Sequence, residues 1–216
     1  MVNAAEQRPR FAGLDDSELA ALLDLATVRS LPKNVLLVSE HDETDNVHFI
    51  LAGRIKVFLS DAAGKEIVLS LQGPGEYFGE MALEPGGRSA SVMTLEPCRI
   101  ATVKLADFRA FLLQHPEFQH ELVRKLIRRV RALTRRVHDL ALVDVYGRVV
   151  HTLEGLARDE NGRQIVPQVL SQQAIASLVG ASREMVSRIL KELRTGGYIG
   201  VEGRRIVILR KPPAAW

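Results

Sequence analysis

Residues 171–208 read SQQAIASLVGASREMVSRILKELRTGGYIGVEGRRIVI, and the order of signals in this stretch decides the architecture. Ser171 opens one helical pattern, Gly180 and Ser182 punctuate a short turn, and a second helical pattern runs on to Gly196-Gly197. In the second pattern Val186, Ile189, Leu190 and Leu193 fall at i, i+3, i+4 and i+7, which makes one inward stripe. Beyond the glycines, YIGVEGRRIVIL alternates about Glu202-Gly203, a turn between two short strands. Upstream, Asp144 or a neighbour caps a further helix through YGRVVHTLEGLA. Helix, turn, helix and hairpin in that order form a winged helix-turn-helix pattern over residues 144–216.

The face opposite the stripe carries Arg183, Glu184, Ser187, Arg188 and Lys191, just after the turn residue Ser182. On a helix in a DNA major groove, Arg matches the O6/N7 edge of guanine with two parallel hydrogen bonds and Glu accepts from cytosine N4. The alternative is a solvated face in which Glu184 and Arg188, at i,i+4, form an ordinary surface pair. Ser171, Gln172 and Gln173 at the start of the preceding helix suit phosphate oxygens, or simple capping. Arg204 and Arg205, next to the wing turn, suit phosphate electrostatically, or merely solubilise.

Toward the N-terminus, PEFQHELVRKLIRRVRALTRRVHDLALVD has no glycine and no proline after Pro116. Val123, Leu126, Val130, Leu133, Val137 and Leu140 alternate at spacings of three and four, a heptad seam flanked by Arg128, Arg129, Arg131, Arg135 and Arg136. A strict two-per-heptad seam is narrower than the stripe of a globular helix, so a parallel homodimer is expected; packing on the chain's own β-module is the alternative. The segment 117–143 is therefore read as a dimer helix and hinge. Charge follows the same division: residues 1–116 hold 11 Lys or Arg against 16 Asp or Glu, whereas 117–216 hold 18 against 10. A basic C-terminal half suits a polyanion such as nucleic acid.

Residues 1–116 carry a short helical pattern, Asp15 to Thr27, then the apolar runs VLLVS, VHFILAG, IKVFLSD, IVLSLQG, YFGEM, SASVM and RIATV, separated by glycine-bearing turns. Such spacing predicts an antiparallel β-roll with no room for parallel crossovers, and the chain as a whole reads as α+β. Within it, Gly75 to Ser91 (GEYFGEMALEPGGRSAS) combines glycines, an arginine, a hydroxyl and a carboxylate. Backbone N–H groups and Arg88 can hold a phosphate, Ser89 can add a hydroxyl, and Glu80 can accept from a ribose hydroxyl. The alternative is a Gly/Pro-rich turn with an Arg88–Glu80 surface ion pair.

FGEMAL followed by RSASV is similar to the phosphate-binding cassette of cyclic-nucleotide-binding domains, and ALVDVYGR with VGASREMVSRILKEL resembles the CRP/FNR family of bacterial transcription regulators. The resemblance spans nearly the whole chain. It implies a homodimer that binds double-stranded DNA and a cyclic nucleotide, most simply cyclic AMP, and that works with RNA polymerase. Gly79, Glu80, Met81, Ala82, Arg88 and Ser89 match cassette positions, and Arg183, Glu184 and Arg188 match the base readers of the branch that recognises TGTGA-like palindromes. Thr134 matches a hydroxyl that reaches adenine from the opposite subunit. Its neighbour in that branch is also a hydroxyl and is Leu133 here, and the segment from Gly79 to Arg88 is one or two residues shorter. A cyclic dinucleotide (cyclic di-GMP) or another effector therefore stays open beside cyclic AMP, as does, more remotely, a regulatory subunit that does not bind DNA.

The chain is long enough, at 216 residues and 46% hydrophobic, for two modest cores. Its single cysteine, Cys98, excludes an internal disulfide or an all-cysteine cluster. The start, MVNAAEQRPRF, has no apolar leader core, and no run approaches the ~18 apolar residues that cross a bilayer, so a cytoplasmic protein without membrane contact is expected. No P-loop, HExxH or G-x-S-x-G occurs, and His115 and His120 lie off the i,i+4 spacing of a helical metal pair. Neither an enzyme nor a metal site is expected.

Overall fold

The computed structural model describes residues 9–43 and 45–213. Most of the stretch read above for a leader, residues 1–8, lies outside the described residues. Two compact units emerge: the chain up to Leu59 with Val68–Arg129, and Ser60–Ile67 with Val130 onward.

The first unit opens with α1, Asp16–Asp24. Asp15 accepts from the backbone N–H of Ser17 and Glu18, while Glu18 accepts from Asp15 N, a reciprocal cap that fixes the start. The helix is shorter than the apolar spacing predicts: it ends at Asp24, because Leu25 is exposed and Thr27 already belongs to β1, Thr27–Leu31. The remaining strands are β2 Leu36–Val38, β3 Asn46–Ala52, β4 Ile55–Ser60, β5 Glu66–Gln72, β6 Tyr77–Phe78, β7 Ser91–Thr94 and β8 Cys98–Lys104. They form two four-stranded sheets in the orders β1-β8-β3-β6 and β2-β7-β4-β5, in which β8 pairs antiparallel with β1 and β3, β6 with β3, and β7 with β2 and β4.

β3 and β8 are covered on both faces. Val47, Phe49, Ala101 and Val103 join a cluster with Leu19 and Leu22 of α1, Phe108 and Phe111 of α2 (Leu105–Gln114) and Phe118 of α3 (Pro116–Leu142). On the other face Ile50, Cys98 and Ile100 meet Val38, Ile55, Val57 and Val92 of the second sheet. Each buried aromatic or branched side chain here is worth roughly 1.5–3 kcal/mol relative to exposure. Cys98 is part of this core; burial pushes its thiol pKa up, and Sγ lies against the carbonyls of Arg54 and Glu96.

The second unit contains the rest of α3, then α4 Val145–Leu156, β9 Arg158–Glu160, β10 Arg163–Ile165, α5 Gln172–Val179, α6 Arg183–Thr195, β11 Ile199–Glu202 and β12 Arg205–Ile208. The four strands make one sheet, β11-β12-β10-β9. Asp144 caps α4 by accepting from Gly147 N at 2.7 Å. Tyr146, Val149 and Leu153 of α4 pack with Ile175 and Val179 of α5 and with Val186, Ile189, Leu190 and Leu193 of α6, the stripe expected from the spacing. Arg148 binds the ends of two elements, donating to Val143 O at 2.8 Å and Val179 O at 2.9 Å. Gly180 then adopts φ 66° as the left-handed cap of α5, a conformation costly for any residue with a Cβ.

Candidate effector cassette and nucleic-acid interface

The run YFGEM is a strand for only two residues. At Gly79 the backbone turns left-handed, φ 89°, and Glu80–Leu83 form a 3-10 turn. A Cβ on Gly79 would lie 2.6 Å from Arg88 Nη1 and 2.7 Å from Asn46 O, so the glycine lets the arginine close on the cassette backbone. Arg88 uses that approach: it donates from Nη1 to Gly79 O at 3.1 Å and from Nη2 to Asn46 O at 2.7 Å, and is 7% exposed. Burial lowers its pKa, against the raising influence of Asp45, Glu80 and Asp42.

Glu80 is also buried, its side chain 1% exposed. Its ion partners come from α3, not from the cassette: Arg129 Nη1 donates to Oε1 at 2.6 Å, and Lys125 Nζ stands 3.9 Å from Oε2. The surface Arg88–Glu80 pair weighed in the sequence is thus not formed; both groups are inside and each is held separately. Oε2 has no hydrogen-bond donor among the described residues. A carboxylate oxygen buried in this way costs about 1–3 kcal/mol or more, and a hydroxyl donor would satisfy it. Ser89 is exposed and donates to Met81 Sδ at 3.3 Å; Met81 is exposed and Ala82 half-buried. Sequence reasoning did not find Lys125 as a partner of Glu80, and it took Arg129 only as a flank of the seam.

On α3, Val123, Val130, Leu133, Val137 and Leu140 are between 41% and 67% exposed in the single chain, and Leu126 is half-buried against the first unit's core. Thr134 is exposed and donates to Val130 O at 3.0 Å. Arg128 and Arg124 both reach Glu121, whose carboxyl they hold below the usual range, Arg128 foremost.

On α6, Arg183, Glu184 and Arg188 are exposed and make no ion pair or side-chain hydrogen bond among the described residues, so the Glu184–Arg188 surface pair is not formed. Ser187 is half-buried. Ser171 caps α5 by accepting from Ala174 N, and Ser182 caps α6 by accepting from Met185 N. Each hydroxyl still has its own proton to donate to a phosphate oxygen. Gln172 and Gln173 are exposed in the first turn of α5. The wing turn falls one residue later than expected, on Gly203-Arg204, both left-handed at φ 52° and 70°, with Glu202 opposite Arg205. Arg204 is exposed at the tip, whereas Arg205 is half-buried and donates to both oxygens of Glu160 at 3.1 Å. A second pair, Arg163–Glu202, joins β10 to the wing.

Among the described residues, no group of three or more His, Cys, Asp or Glu is placed to hold a metal, and no helix is long and apolar enough to cross a membrane.

Residues 28–115 match the cyclic nucleotide-binding domain and residues 147–213 the Crp-like helix-turn-helix domain. The chain is 32% identical over 203 residues to the CRP-like cAMP-activated global transcriptional regulator of Mycobacterium tuberculosis, covering 92% of this chain and 91% of that one. It is also 32% identical over 201 residues to the cAMP-activated global transcriptional regulator CRP of Pasteurella multocida, covering 89% and 95%. Among solved structures, the c-di-GMP responsive global regulator CLP of Xanthomonas campestris superposes with a TM-score of 0.78 at 25% identity, over 90% of this chain and 99% of that one. The effector-binding β-roll and the winged helix-turn-helix together define a ligand-responsive, DNA-binding transcription regulator. The chain belongs to the CRP/FNR family.

Proposed function

We propose that the regulator is a homodimer, joined through the α3 seam, whose β-roll binds a cyclic nucleotide, cyclic AMP foremost. The observation that carries this is the presence of two buried side chains of opposite charge, each held by other partners, on one short glycine-rich segment. Arg88 is 7% exposed, and Glu80 has one oxygen without a donor. A cyclic phosphate complements the guanidinium and a ribose hydroxyl the carboxylate oxygen. Gly79 permits the close backbone approach, and Met81, Ala82 and Ser89 line the same segment.

In the dimer, Leu133 serves the seam and Thr134 offers a hydroxyl to the base. Ligand at the cassette favours one packing of the seam, and the hinge at residues 139–143 sets the separation of the two α6 helices. A two-fold DNA site asks for about 34 Å between half-site centres, so a small change at the seam alters affinity strongly. Arg183, Glu184 and Arg188 read the bases of a TGTGA-like palindrome, with Ser182 and Ser187 beside them. Ser171, Gln172, Gln173 and Arg204 contact phosphate. Arg205 is assigned to the wing's internal ion pair instead, because Glu160 holds its guanidinium.

Residues 1–116 then form the effector domain, 117–143 the dimer helix and hinge, and 144–216 the DNA-binding domain. The protein acts in the cytoplasm, with RNA polymerase as its functional partner and without a catalytic step of its own. Cyclic di-GMP is the second reading, favoured by the superposition on the Xanthomonas regulator and by the exposed Arg131 and Arg135 of α3. Calorimetric titration of the nucleotide-stripped protein with cyclic AMP, cyclic GMP and cyclic di-GMP, repeated with Arg88→Ala, tests the assignment. Saturable binding of cyclic AMP that Arg88→Ala abolishes supports it; binding of cyclic di-GMP alone transfers it to the second reading. Retention of ligand-dependent DNA binding in Arg88→Ala refutes the cassette's role, and absence of a salt-dependent gel shift refutes DNA binding.

A further inference from the structure

We propose that Lys125 is a positioning residue for effector recognition, a buried ammonium that orients the second oxygen of Glu80 toward a ligand hydroxyl without occupying it. This rests on the reading of Glu80 as the hydroxyl acceptor.

The geometry separates the jobs of two cations one helical turn apart on α3. Arg129 donates directly to Glu80 Oε1 at 2.6 Å and so fills one acceptor site on that side of the carboxylate. Lys125 lies 3.9 Å from Oε2, within reach of charge but beyond a hydrogen bond. Its own donors are directed elsewhere: Nζ bonds the backbone carbonyl of Tyr77 and sits 3.3 Å above the centre of the Tyr77 ring. Oε2 is therefore attracted and aimed by a positive charge while its acceptor sites stay open, and it is buried with no donor among the described residues. An apolar side chain in place of Lys125 would leave the carboxylate to Arg129 on its other oxygen, with no cation beside Oε2, and a donor closer than 3.9 Å would compete with the ligand.

The same burial makes the arrangement sensitive to protonation. The side chain of Lys125 is 17% exposed, and burial lowers its pKa to about 8. Glu80 from the 3-10 turn and Glu76 ahead of β6 oppose that shift, Arg128 and Arg129 on α3 reinforce it, and the Tyr77 phenol on β6, itself pushed upward by burial, faces the same cluster. Selectivity for a hydroxyl-bearing ligand is thus full at pH 7 and falls as Lys125 loses its proton.

The test compares cyclic AMP with 2′-deoxy cyclic AMP by calorimetry, in the full-length protein and in Lys125→Met and Lys125→Arg, at pH 7 and pH 9. A hydrogen bond to a charged acceptor corresponds to a preference of about tenfold or more for the hydroxyl ligand in the unmodified protein at pH 7. Lys125→Met is expected to reduce that preference to about twofold at both pH values while 2′-deoxy binding changes little, and Lys125→Arg to keep it at pH 9, because guanidinium stays charged. Thermal unfolding of each variant establishes that it is folded; if Lys125→Met is not, Lys125→Gln, neutral and closer in polarity, takes its place with the same expectation. A folded Lys125→Met that keeps the tenfold preference for the hydroxyl ligand overturns the role of Lys125 and leaves Glu80 as acceptor. One that binds both nucleotides without preference, or neither, overturns the Glu80 reading and this inference with it.

Discussion

Replacing Arg129 by Met should expose how much the buried Glu80 carboxylate depends on α3. Removing one partner of a buried ion pair costs about 3–5 kcal/mol, because the other charge is left uncompensated. Two features move this case to the lower end: Lys125 still stands 3.9 Å from Oε2, and the Arg129 side chain is 26% exposed, so water can follow the change. A loss of about 2–3 kcal/mol is therefore expected for Arg129→Met. Glu80→Gln alone should also destabilise, since it leaves Arg129 and Lys125 facing each other with no carboxylate between them. The double variant strands neither member of the Arg129–Glu80 pair, and the cost of leaving Lys125 without its carboxylate is common to both Glu80 variants, so the double variant should be more stable than the sum of the two losses by at least about 1.5 kcal/mol. Urea unfolding of the four proteins, followed by far-UV circular dichroism, measures the cycle. A coupling below about 0.5 kcal/mol, the usual scatter for independent sites, would refute the argument that Arg129 is what makes the burial of Glu80 tolerable.

Burial lowers the pKa of His48, which is 8% exposed and stacked on Phe78, to about 4, with the nearby Arg88 acting in the same direction. Above pH 6.5 both folded and unfolded His48 are neutral; between 6.5 and 4 only the unfolded chain takes up a proton, so stability falls by up to about 3 kcal/mol. The gap in urea stability between the unmodified protein and His48→Gln should narrow by that amount from pH 7 to pH 4; a constant gap contradicts it. Val130→Glu with Val137→Glu should halve the mass seen by light scattering without unfolding the chain, since both side chains are more than 60% exposed in the single chain. Arg183→Ala should cost ~1–3 kcal/mol on the cognate site and relax preference at one base pair, whereas Arg204→Ala should weaken all sequences alike in gel shifts. Equal, sequence-independent losses from both would contradict that division of labour.

What could be read in the chain follows from where the signals reside. The α6 stripe and the caps Asp144, Ser171 and Ser182 are local, and they stand in the structure as the spacing implies. β1 is nearly all exposed and so shows no alternation of apolar and polar residues, which hid it. α2 had a readable period in Leu105, Phe108, Phe111 and Leu112, but it begins directly at the end of β8, without a side-chain cap, and merges with the apolar run before it. β9 and β10 are only three residues each; their signal was the Asn161-Gly162 turn, both residues left-handed, which was passed over. The partners of Glu80 could not be found locally, because Lys125 and Arg129 lie more than forty residues away and in sequence belong to a helix whose arginines look uniformly solvated.

The two ion pairs at the base of the wing bear on how the protein responds to salt. Because Arg205 pairs with Glu160 and Arg163 with Glu202, Arg204 is the one cation of the β11–β12 hairpin without an ion pair among the described residues. Each phosphate neutralised on B-DNA releases about 0.9 of a condensed counterion, so every arginine withdrawn from the backbone flattens the plot of log affinity against log salt by nearly one. In the proposed DNA complex, a wing stitched to its own sheet thus gives up some grip on any DNA in exchange for a fixed shape. On the same proposal, the share of binding left to Arg183, Glu184 and Arg188 of α6, read as base contacts that salt weakens less, rises accordingly.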